Sequence, residues 1–256
     1  MLPYSLAGLA GAPVVVLVNS IGMTRSLWDR QLPALRDRFR VLTYEQRGHG
    51  AAPVPPGPYS IADLGGDLIG LLDELELAQV SVCGLSLGGM VAMWAAANHP
   101  RRISRVILAC TSAHPGNPAK WAARAARAQR DGMTGLTADA WQNWFTSDFA
   151  RAHPDLVMSF RHMVERNPAA GYASSCAVLE SLDLRPELHL IRSPVLVIVG
   201  AEDGSFPLEH GLRIRHGVAG AQIVELPDAA HLANVEQPDR FNELLLGHLA
   251  SSATTE

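Results

Sequence analysis

The sequence predicts an α/β protein built on a mostly parallel, doubly wound sheet with a helical insertion. Short β-branched runs alternate with longer segments of helical period, which is the pattern of parallel strands joined by crossover helices. These runs are apolar throughout, as expected of strands that are buried on both faces. The stretch from about Pro115 to Arg185 has no such run and is helical in pattern. We therefore predict a core of residues 1–114 and 186–256, interrupted by a helical cap over 115–185.

The individual elements follow one another between turn residues. The predicted strands are Val14–Val18, Arg40–Tyr44, Val80–Cys83, Val106–Ala109, Val195–Val199 and Gln222–Leu226. Helices are predicted between the early strands, in "SLWDRQLPALRDR" and "SIADLGGDLIGLLDEL", and the second begins with a capping box at Ser60 and Asp63. Within the insertion, helices are predicted for "AKWAARAARAQR", "TADAWQNWF" and "PAAGYASSCAVLESL". The last six residues, "SSATTE", are expected to be disordered.

Composition and charge exclude several function classes. The 256 residues are 48% hydrophobic and 18% charged, which fits one domain with one sizeable core. The formal net charge is −4, and no basic run offers a footprint for nucleic acid or an anionic membrane surface. No apolar run approaches the roughly 18 residues that span a bilayer, and the N-terminus lacks the basic segment of a signal peptide. Because Cys83, Cys110 and Cys176 are expected to be buried reduced thiols, we predict a cytoplasmic protein.

The stretch "VSVCGLSLGGM", Val80 to Met90, contains the pattern G-x-S-x-G at Gly84, Ser86 and Gly88. The pattern alone is expected by chance in roughly one in ten chains of this length, but here a predicted strand precedes it and an apolar helix follows it. Such a strand-to-helix turn holds its serine in a strained backbone conformation, exposed at the edge of the sheet. The N-terminus of the helix directs amides toward the same point, where they stabilise negative charge. We predict a nucleophilic Ser86; the alternative is a tight turn capped by serine.

A serine nucleophile needs a histidine base, and the base needs an acid that orients it. His231 follows the last predicted strand and precedes the C-terminal helix, in "VELPDAAHLANVEQPDRFNELL". The acid is expected at a strand end between the serine and the histidine, and Asp203 follows Gly200 by three residues in "PVLVIVGAEDGSFP". Glu202 is its competitor, whereas Asp228 lies too close to His231 in sequence to be preferred. The order serine, acid, histidine is that of hydrolases with a nucleophile elbow, and it predicts the catalytic set Ser86, Asp203 and His231.

Amide donors for a developing oxyanion are predicted on two segments. The N–H of Leu87, directly after the serine, supplies the first donor. The second comes from the loop "NSIG" after an early strand, where the N–H of Ile21 is our choice and that of Ser20 the substitute. Asn19 is expected to hold this loop through side-chain hydrogen bonds, although an asparagine that only forms a turn would look the same.

These residues together resemble the α/β-hydrolase superfamily, and most closely its 3-oxoadipate enol-lactonases. The triad and G-x-S-x-G mark only the superfamily. The combination of N-S-I-G, R-G-H-G followed by V-P-P-G-P-Y-S, and A-A-H-L-A-N-V-E-Q-P is far more specific to the lactonases, and the resemblance runs over nearly the whole chain. Glu45 departs from the family, whose members usually have Asp there; it lies outside the triad, so we expect an effect on loop packing and not on the chemistry. His49 in R-G-H-G is expected to be structural by the same resemblance.

The resemblance implies the α/β-hydrolase fold and a serine hydrolase that opens 3-oxoadipate enol-lactone to 3-oxoadipate through an acyl-enzyme, in the β-ketoadipate pathway of aromatic catabolism. It implies no metal and no organic cofactor. Trp144 in "NWFTSDF" resembles an aromatic residue of the family's cap, so it is expected to line the substrate pocket, unless it only packs the interior. The free carboxylate of the lactone calls for a cationic partner. Lys120, Arg124 and Arg127 lie on a segment that a solvated helix face would also explain, so none is assigned.

Alternative interpretations remain open at the level of the sequence. The insertion would overhang the ligand crevice as a lid, or it would only complete the core. A carboxylesterase or a hydrolase of C–C bonds in ring-cleavage products would share the triad, because specificity lies in the insertion. A non-catalytic ligand-binding protein that keeps the fold is the alternative from another class. The expected partner is a small-molecule lactone, with no nucleic acid and no membrane, and the oligomeric state is open.

Overall fold

Within residues 1–250, which a computed structural model describes, seven strands form a single sheet. They are β1 (Tyr4–Gly8), β2 (Val14–Val18), β3 (Arg40–Tyr44), β4 (Val80–Leu85), β5 (Ile103–Ala109), β6 (Val195–Gly200) and β7 (Gln222–Leu226). Their order across the sheet is β1-β3-β2-β4-β5-β6-β7; β1 pairs antiparallel with β3, and the other neighbours are parallel. Only the backbone is described at 138–141, and the prediction of a disordered tail at 251–256 lies outside the described residues.

The six strands predicted from the sequence are all present, and the predicted fold class is confirmed. Strand β1 was not predicted, because its sequence "YSLAG" lacks a β-branched residue; antiparallel pairing with β3 supplies its hydrogen bonds instead. The expectation that every predicted strand is buried on both faces is wrong for β7. That strand forms the far edge of the sheet, and only Leu226 of its five residues is fully buried.

Helices connect the strands and flank the sheet. Those described are α1 (Leu32–Arg36), α2 (Ile61–Glu74), α3 (Leu87–Asn98), α4 (Pro118–Ala140), α5 (Ser147–Ala152), α6 (Pro154–Glu165), α7 (Ala169–Ser181), α8 (Leu208–Gly217), α9 (Ala233–Glu236) and α10 (Pro238–Ala250). Short 3-10 turns lie at Arg25–Trp28, Trp141–Asn143 and Arg185–Leu190. Helix α4 is broken at Gly132, where φ is +70°. None of the helices within residues 1–250 combines the length and apolar character that a bilayer crossing requires.

Two helix predictions differ from the structure in their bounds. The segment "SLWDRQLPALRDR" is not one helix, because Pro33 lacks an amide hydrogen and is tolerated only in a first turn, so α1 begins anew at Leu32. The segment "TADAWQNWF" leaves the α-helix after Ala140 and continues as a 3-10 turn. The predicted capping box is present: Asp63 N–H donates to Ser60 Oγ at 3.1 Å, and Ser60 N–H donates to Asp63 Oδ2 at 2.8 Å.

The strand order determines where a ligand crevice opens. The chain runs from β2 outward to β3 and then returns past β2 to β4, after which the strands proceed in the opposite direction to β7. The order therefore reverses between β2 and β4, and the carboxyl ends of these two strands border the crevice that open α/β sheets use for ligands. The loop at Asn19–Gly22 follows β2 and Ser86 follows β4, so both lie at this point. Helices α4–α7 are inserted between β5 and β6.

Candidate active site

Ser86 lies where β4 turns into α3, and its backbone is strained. Its φ is +56° and its ψ is −118°, a positive-φ conformation that L-residues rarely adopt. The Ser86 N–H donates to Ala109 O at 2.9 Å, and Thr111 Oγ1 donates to the Ser86 carbonyl oxygen at 2.6 Å. Hydrogen bonds to the end of β5 thus fix the residue in this conformation.

Gly84 and Gly88 permit the sharp turn because neither position has room for a side chain. A Cβ on Gly84 would lie 2.1 Å from the carbonyl oxygen of Gly88, and a Cβ on Gly88 would lie 2.1 Å from that of Val18. The second contact sets the first turn of α3 directly against the end of β2. The loop that follows β2 is thereby brought beside Ser86.

The exposed position expected for Ser86 is not what the structure shows. Only 3% of Ser86 is exposed. Strand β4 is central, with β2 and β5 on either side, and the ends of these neighbours close around the elbow. Ser86 therefore lies within the sheet's carboxyl edge rather than on an open surface.

Asp203 and His231 form a buried hydrogen-bonded pair. His231 Nδ1 and Asp203 Oδ2 are 2.9 Å apart, and the Asp203 side chain has no exposed surface. The other carboxylate oxygen, Oδ1, accepts the N–H of Ser205 at 2.8 Å and that of Phe206 at 3.1 Å. Burial raises the pKa of Asp203, but the charge of His231 and these hydrogen bonds outweigh it and hold that pKa below its ordinary value. The ionised carboxylate places the imidazole proton on Nδ1 and leaves Nε2 free to accept another.

The other two acids considered from the sequence lie outside this pair. Glu202 and Asp228 are both exposed, whereas Asp203 is only 2% exposed. A tight turn after β6, in which the Asp203 N–H donates to Gly200 O at 3.1 Å, accompanies the inward position of the Asp203 side chain.

The loop that carries His231 lies next to the strand ends that hold Ser86. Cys110, directly after β5, donates its thiol to the carbonyl oxygen of Ala230 at 3.8 Å, and the preceding residue, Ala109, accepts the Ser86 N–H. Ser86 and the residue before His231 are therefore both bonded to the end of β5. Among the described residues, no hydrogen bond joins Ser86 Oγ to His231 Nε2; such catalytic bonds are often long before substrate binds and tighten in the complex.

The loop after β2 is held by a network around Asn19, which is fully buried. Asn19 Nδ2 donates to Tyr44 O at 2.9 Å, and Asn19 Oδ1 accepts from Trp28 Nε1 at 3.0 Å. Gln46 Nε2 donates to the Asn19 carbonyl oxygen at 2.7 Å. Since neighbouring strands and a 3-10 turn supply these bonds, the positions of Ser20 and Ile21 are fixed. Both residues are buried.

Leu87 is the first residue of α3, so its N–H has no acceptor within the helix. Gly88 in the same turn packs on Val18, next to the Asn19 loop. The amides predicted to receive an oxyanion therefore lie on two segments that touch each other beside Ser86.

Glu236 is a residue of this region that the sequence analysis did not single out. Its Oε1 accepts the N–H of Thr146 at 2.8 Å and the Thr146 hydroxyl at 2.9 Å, while its Oε2 accepts the N–H of Ala230 at 2.5 Å. Burial raises the pKa of Glu236, and these hydrogen bonds only partly offset that effect. The glutamate thus joins the helical insertion to the residue before His231. In the sequence, only its position five residues after His231 connects Glu236 with the site. Its partner Thr146 lies 90 residues away, so the sequence does not indicate their contact.

Trp144, the predicted aromatic residue of the pocket, is 6% exposed and lies against the same loop. Its carbonyl oxygen accepts the N–H of Leu232 at 2.9 Å. Ala230 and Leu232 flank His231. The N–H of Leu232 donates to Trp144, and the N–H of Ala230 donates to Glu236, the partner of Thr146. The insertion therefore contacts the His231 loop directly at Leu232 and, through Glu236, at Ala230.

Helix α7 of the insertion rests on the R-G-H-G loop with backbone against backbone. A Cβ on Gly171 would lie 2.3 Å from the carbonyl oxygen of Gly48. The two backbone segments can approach this closely only because both positions are glycine. Asn167, just before α7, accepts the N–H of Gly50 at 2.8 Å and donates to Gly22 O at 2.7 Å. The start of α7 is thereby tied to the R-G-H-G loop and to the loop after β2.

His49 and Glu45 also lie on this side of the crevice. His49 has no exposed surface, and its Nδ1 contacts Arg47 O at 3.0 Å; burial lowers its pKa to about 4. Glu45 accepts from Arg25 Nε at 3.1 Å, and burial raises its pKa although Arg25 partly offsets the effect. Both contacts are with neighbouring backbone and side chains, which is compatible with the packing role expected for these residues. Within the described part of the chain, no three His, Cys, Asp or Glu side chains are grouped so as to hold a metal ion.

The fold and the site define a hydrolase of the α/β class, and comparison with known proteins agrees. Residues 13–238 match the family described as alpha/beta hydrolase fold, and the chain belongs to that family. Within it, the chain is 40% identical to 3-oxoadipate enol-lactonase 2 of Acinetobacter baylyi, over 94% of this chain and 90% of that protein. The 3-oxoadipate enol-lactonase 1 of the same organism is 31% identical, over 98% of this chain and 93% of that protein.

A solved structure gives the same result. The crystal structure of the enol-lactonase from Burkholderia xenovorans LB400 superposes with a TM-score of 0.96 at 40% sequence identity, covering 98% of this chain and 96% of that one. The resemblance to the enol-lactonases that the sequence motifs predicted is confirmed.

Proposed function

We propose that this chain opens the ring of 3-oxoadipate enol-lactone to give 3-oxoadipate, with Ser86 as the nucleophile and a place in aromatic catabolism. The choice of substrate rests on one observation, the 40% identity over 94% of the chain to a 3-oxoadipate enol-lactonase. The choice of mechanism is supported by the strained Ser86 at the carboxyl end of β4 and by the buried pair of Asp203 and His231.

Acylation begins with attack of Ser86 Oγ on the carbonyl carbon of the lactone, while His231 Nε2 takes the hydroxyl proton. Asp203 holds the imidazole through Nδ1 and stabilises the imidazolium that forms. The amides of Leu87 and of Ile21, or Ser20 in its place, receive the oxyanion. Each such donor contributes roughly 3–4 kcal/mol of transition-state stabilisation when it acts as donors do in other acyl transferases.

Collapse of the tetrahedral intermediate breaks the bond between the carbonyl carbon and the ring oxygen. The leaving group is an enolate that remains part of the acyl chain, and it leaves far more readily than an alkoxide. Protonation on carbon, with the proton that His231 had taken, gives the 3-oxo group. Water, deprotonated by His231, then attacks the acyl-enzyme and releases 3-oxoadipate and free Ser86.

The α4–α7 insertion is proposed to act as a cap over this site. Its Trp144 carbonyl and the bridge from Thr146 to Glu236 bind the loop around His231, which supports a direct part in shaping the pocket. Trp144 is proposed to line that pocket. A cap of this kind excludes water and selects the substrate, while the elbow and the base supply the chemistry.

The experiment presents purified protein with 3-oxoadipate enol-lactone, with 4-nitrophenyl acetate and with a vinylogous 1,5-diketone, each followed by absorbance. We expect the lactone to have the highest kcat/KM of the three and Ser86→Ala to abolish its turnover. The melting temperature of the variant, measured alongside, shows that the fold is intact. Hydrolysis of the aryl ester with an equal or higher kcat/KM would assign the chain to the esterases instead, and cleavage of the diketone would assign it to the C–C bond hydrolases.

A further inference from the structure

Two cations of α4, Lys120 and Arg124, lie one helical turn apart, and neither forms an ion pair with any acid in the described part of the chain. Arg130, further along the same helix, does pair with an acid, Asp131, at 2.8 Å. Like charges at this spacing destabilise a helix. The arrangement therefore needs an explanation beyond the stability of α4.

Arg124 is placed on the side of the oxyanion loop, the Asn19–Gly22 segment after β2 that carries the predicted donor Ile21. Its Nε donates to the hydroxyl of Tyr172 at 2.5 Å, and its guanidinium carbon lies 5.6 Å from the centre of the Tyr172 ring. The Tyr172 ring in turn packs on the loop after β2, with Cε2 only 3.1 Å from the place of a Cβ on Gly22. One fully buried tyrosine thus separates the guanidinium from the loop that carries Ile21.

Lys120 lies one turn before Arg124 on α4 and carries its charge on an exposed side chain. Surrounding protein and the positive charge of Arg124 lower the pKa of the Lys120 ammonium, while the negative charge of Asp203 acts on it in the opposite direction. The ammonium therefore lies within electrostatic range of both Arg124 and Asp203. The side chain remains exposed to solvent, so an incoming solute can reach it.

The two cations share one support. Lys120 Nζ lies 5.2 Å and Arg124 Cζ lies 5.8 Å from the ring centre of Trp121, which is 5% exposed. Cation–π contacts of this length hold a cation in place without neutralising its charge. A planar guanidinium and a compact ammonium so held are suited to one carboxylate, which the guanidinium can bind through two hydrogen bonds.

We propose that Lys120 and Arg124 form the subsite for a carboxylate group of the substrate, on the Trp121 and Tyr172 rings beside the loop that follows β2. The inference rests on the proposed function, because 3-oxoadipate enol-lactone carries one carboxylate outside its ring. Binding that group at α4 orients the lactone so that its carbonyl, at the other end of the molecule, lies at Ser86.

The test compares the anionic lactone with α-angelica lactone, which has the same enol-lactone ring but a methyl group in place of the carboxymethyl group. Wild type is compared with Lys120→Met, Arg124→Gln and Arg124→Lys, and Arg130→Gln is the matched control from the same helix. We expect the ratio of kcat/KM for the anionic lactone to that for the neutral lactone to fall about 10- to 100-fold in Lys120→Met and Arg124→Gln, as for loss of a hydrogen bond to a charged group. Arg124→Lys should lose less, and Arg130→Gln should keep the ratio of the wild type.

A second arm does not depend on turnover of the anionic lactone. Adipate is added as a competitive inhibitor of α-angelica lactone hydrolysis, and its Ki is expected to rise by about 10-fold or more in Lys120→Met and Arg124→Gln. If wild type fails to open the anionic lactone but the variants still lose adipate inhibition, the proposed function fails and the carboxylate subsite stands. If the anionic lactone is turned over but neither the ratio nor the Ki changes, the subsite is overturned. An equal fall of kcat/KM for both lactones would show a structural role and would overturn it as well.

Discussion

Replacement of Asp203 by Asn tests the candidate site most sharply, because its surroundings dictate how the new amide must be oriented. Oδ1 of Asp203 accepts two backbone N–H groups, from Ser205 and Phe206. An asparagine has one oxygen, and only that oxygen can satisfy these two donors. Its NH₂ group is then directed at His231 Nδ1, which lies 2.9 Å from the second carboxylate oxygen in the present structure.

An NH₂ group in that position is a donor, so His231 Nδ1 must become the acceptor and the ring proton moves to Nε2. The nitrogen that should take the proton of Ser86 then already carries one. In hydrolases with the same constellation, this change of tautomer lowers kcat by about 10⁴-fold, which corresponds to about 5.5 kcal/mol in the barrier. KM should change little, since the Asp203 side chain is fully buried and does not touch substrate.

The assay is kcat and KM on the enol-lactone and on an aryl ester for wild type, Asp203→Asn and Glu202→Gln. Glu202 is the matched control, because it is the adjacent acid but is exposed. Far-UV circular dichroism and a melting curve establish that the Asn variant is folded. More than a tenth of the wild-type kcat in Asp203→Asn, or a large loss in Glu202→Gln, would refute the assignment of the acid and the tautomer argument with it.

Two further changes test the surroundings of the site. Glu236→Gln leaves one acceptor oxygen for donors on both Thr146 and Ala230, so we expect a loss of about 1–3 kcal/mol in unfolding free energy and a lower kcat; an unchanged kcat in a destabilised variant would limit Glu236 to a structural role. Burial lowers the pKa of His49 from 6.5 to about 4, so below pH 6.5 the unfolded chain binds a proton that the folded protein does not. The unfolding free energy should therefore fall by about 2 kcal/mol between pH 7 and pH 5 because of this histidine. In urea unfolding, His49→Asn should lose that much less stability than wild type over the same pH range. An equal loss in both proteins would contradict the argument.

Local patterns were sufficient to predict the sheet and the elbow. The strands β2, β3 and β7 begin and end at the residues expected, because each is a continuous run of strand-forming residues between turns. The G-x-S-x-G pattern predicted a strained Ser86, since the two glycines are needed wherever a strand turns so sharply into a helix. Asp203 is preferred over Glu202 because of its shorter side chain and its spacing from the strand end.

Features that depend on distant partners could not be predicted in this way. Strand β1 exists because β3 offers it an edge, and no property of "YSLAG" reveals that edge. The burial of Ser86 depends on how the ends of β2 and β5 close around it. Glu236 resembles any glutamate near a helix end until Thr146, 90 residues earlier, is seen to donate to it. Lys120 and Arg124 are also compatible with a solvated helix face, because the sequence does not show that neither forms an ion pair with an acid of the described residues.

The contact between Gly48 and Gly171 divides the insertion into a part that can be changed and a part that cannot. At that contact α7 has no side chains between its backbone and the core, so any larger residue there would push the helix off the R-G-H-G loop. Helix α4 instead carries long side chains, among them Lys120 and Arg124, which we proposed as the subsite for the substrate carboxylate. Substitutions that aim to change the acyl substrate of this enzyme are therefore best made on α4, while α7 is left unchanged.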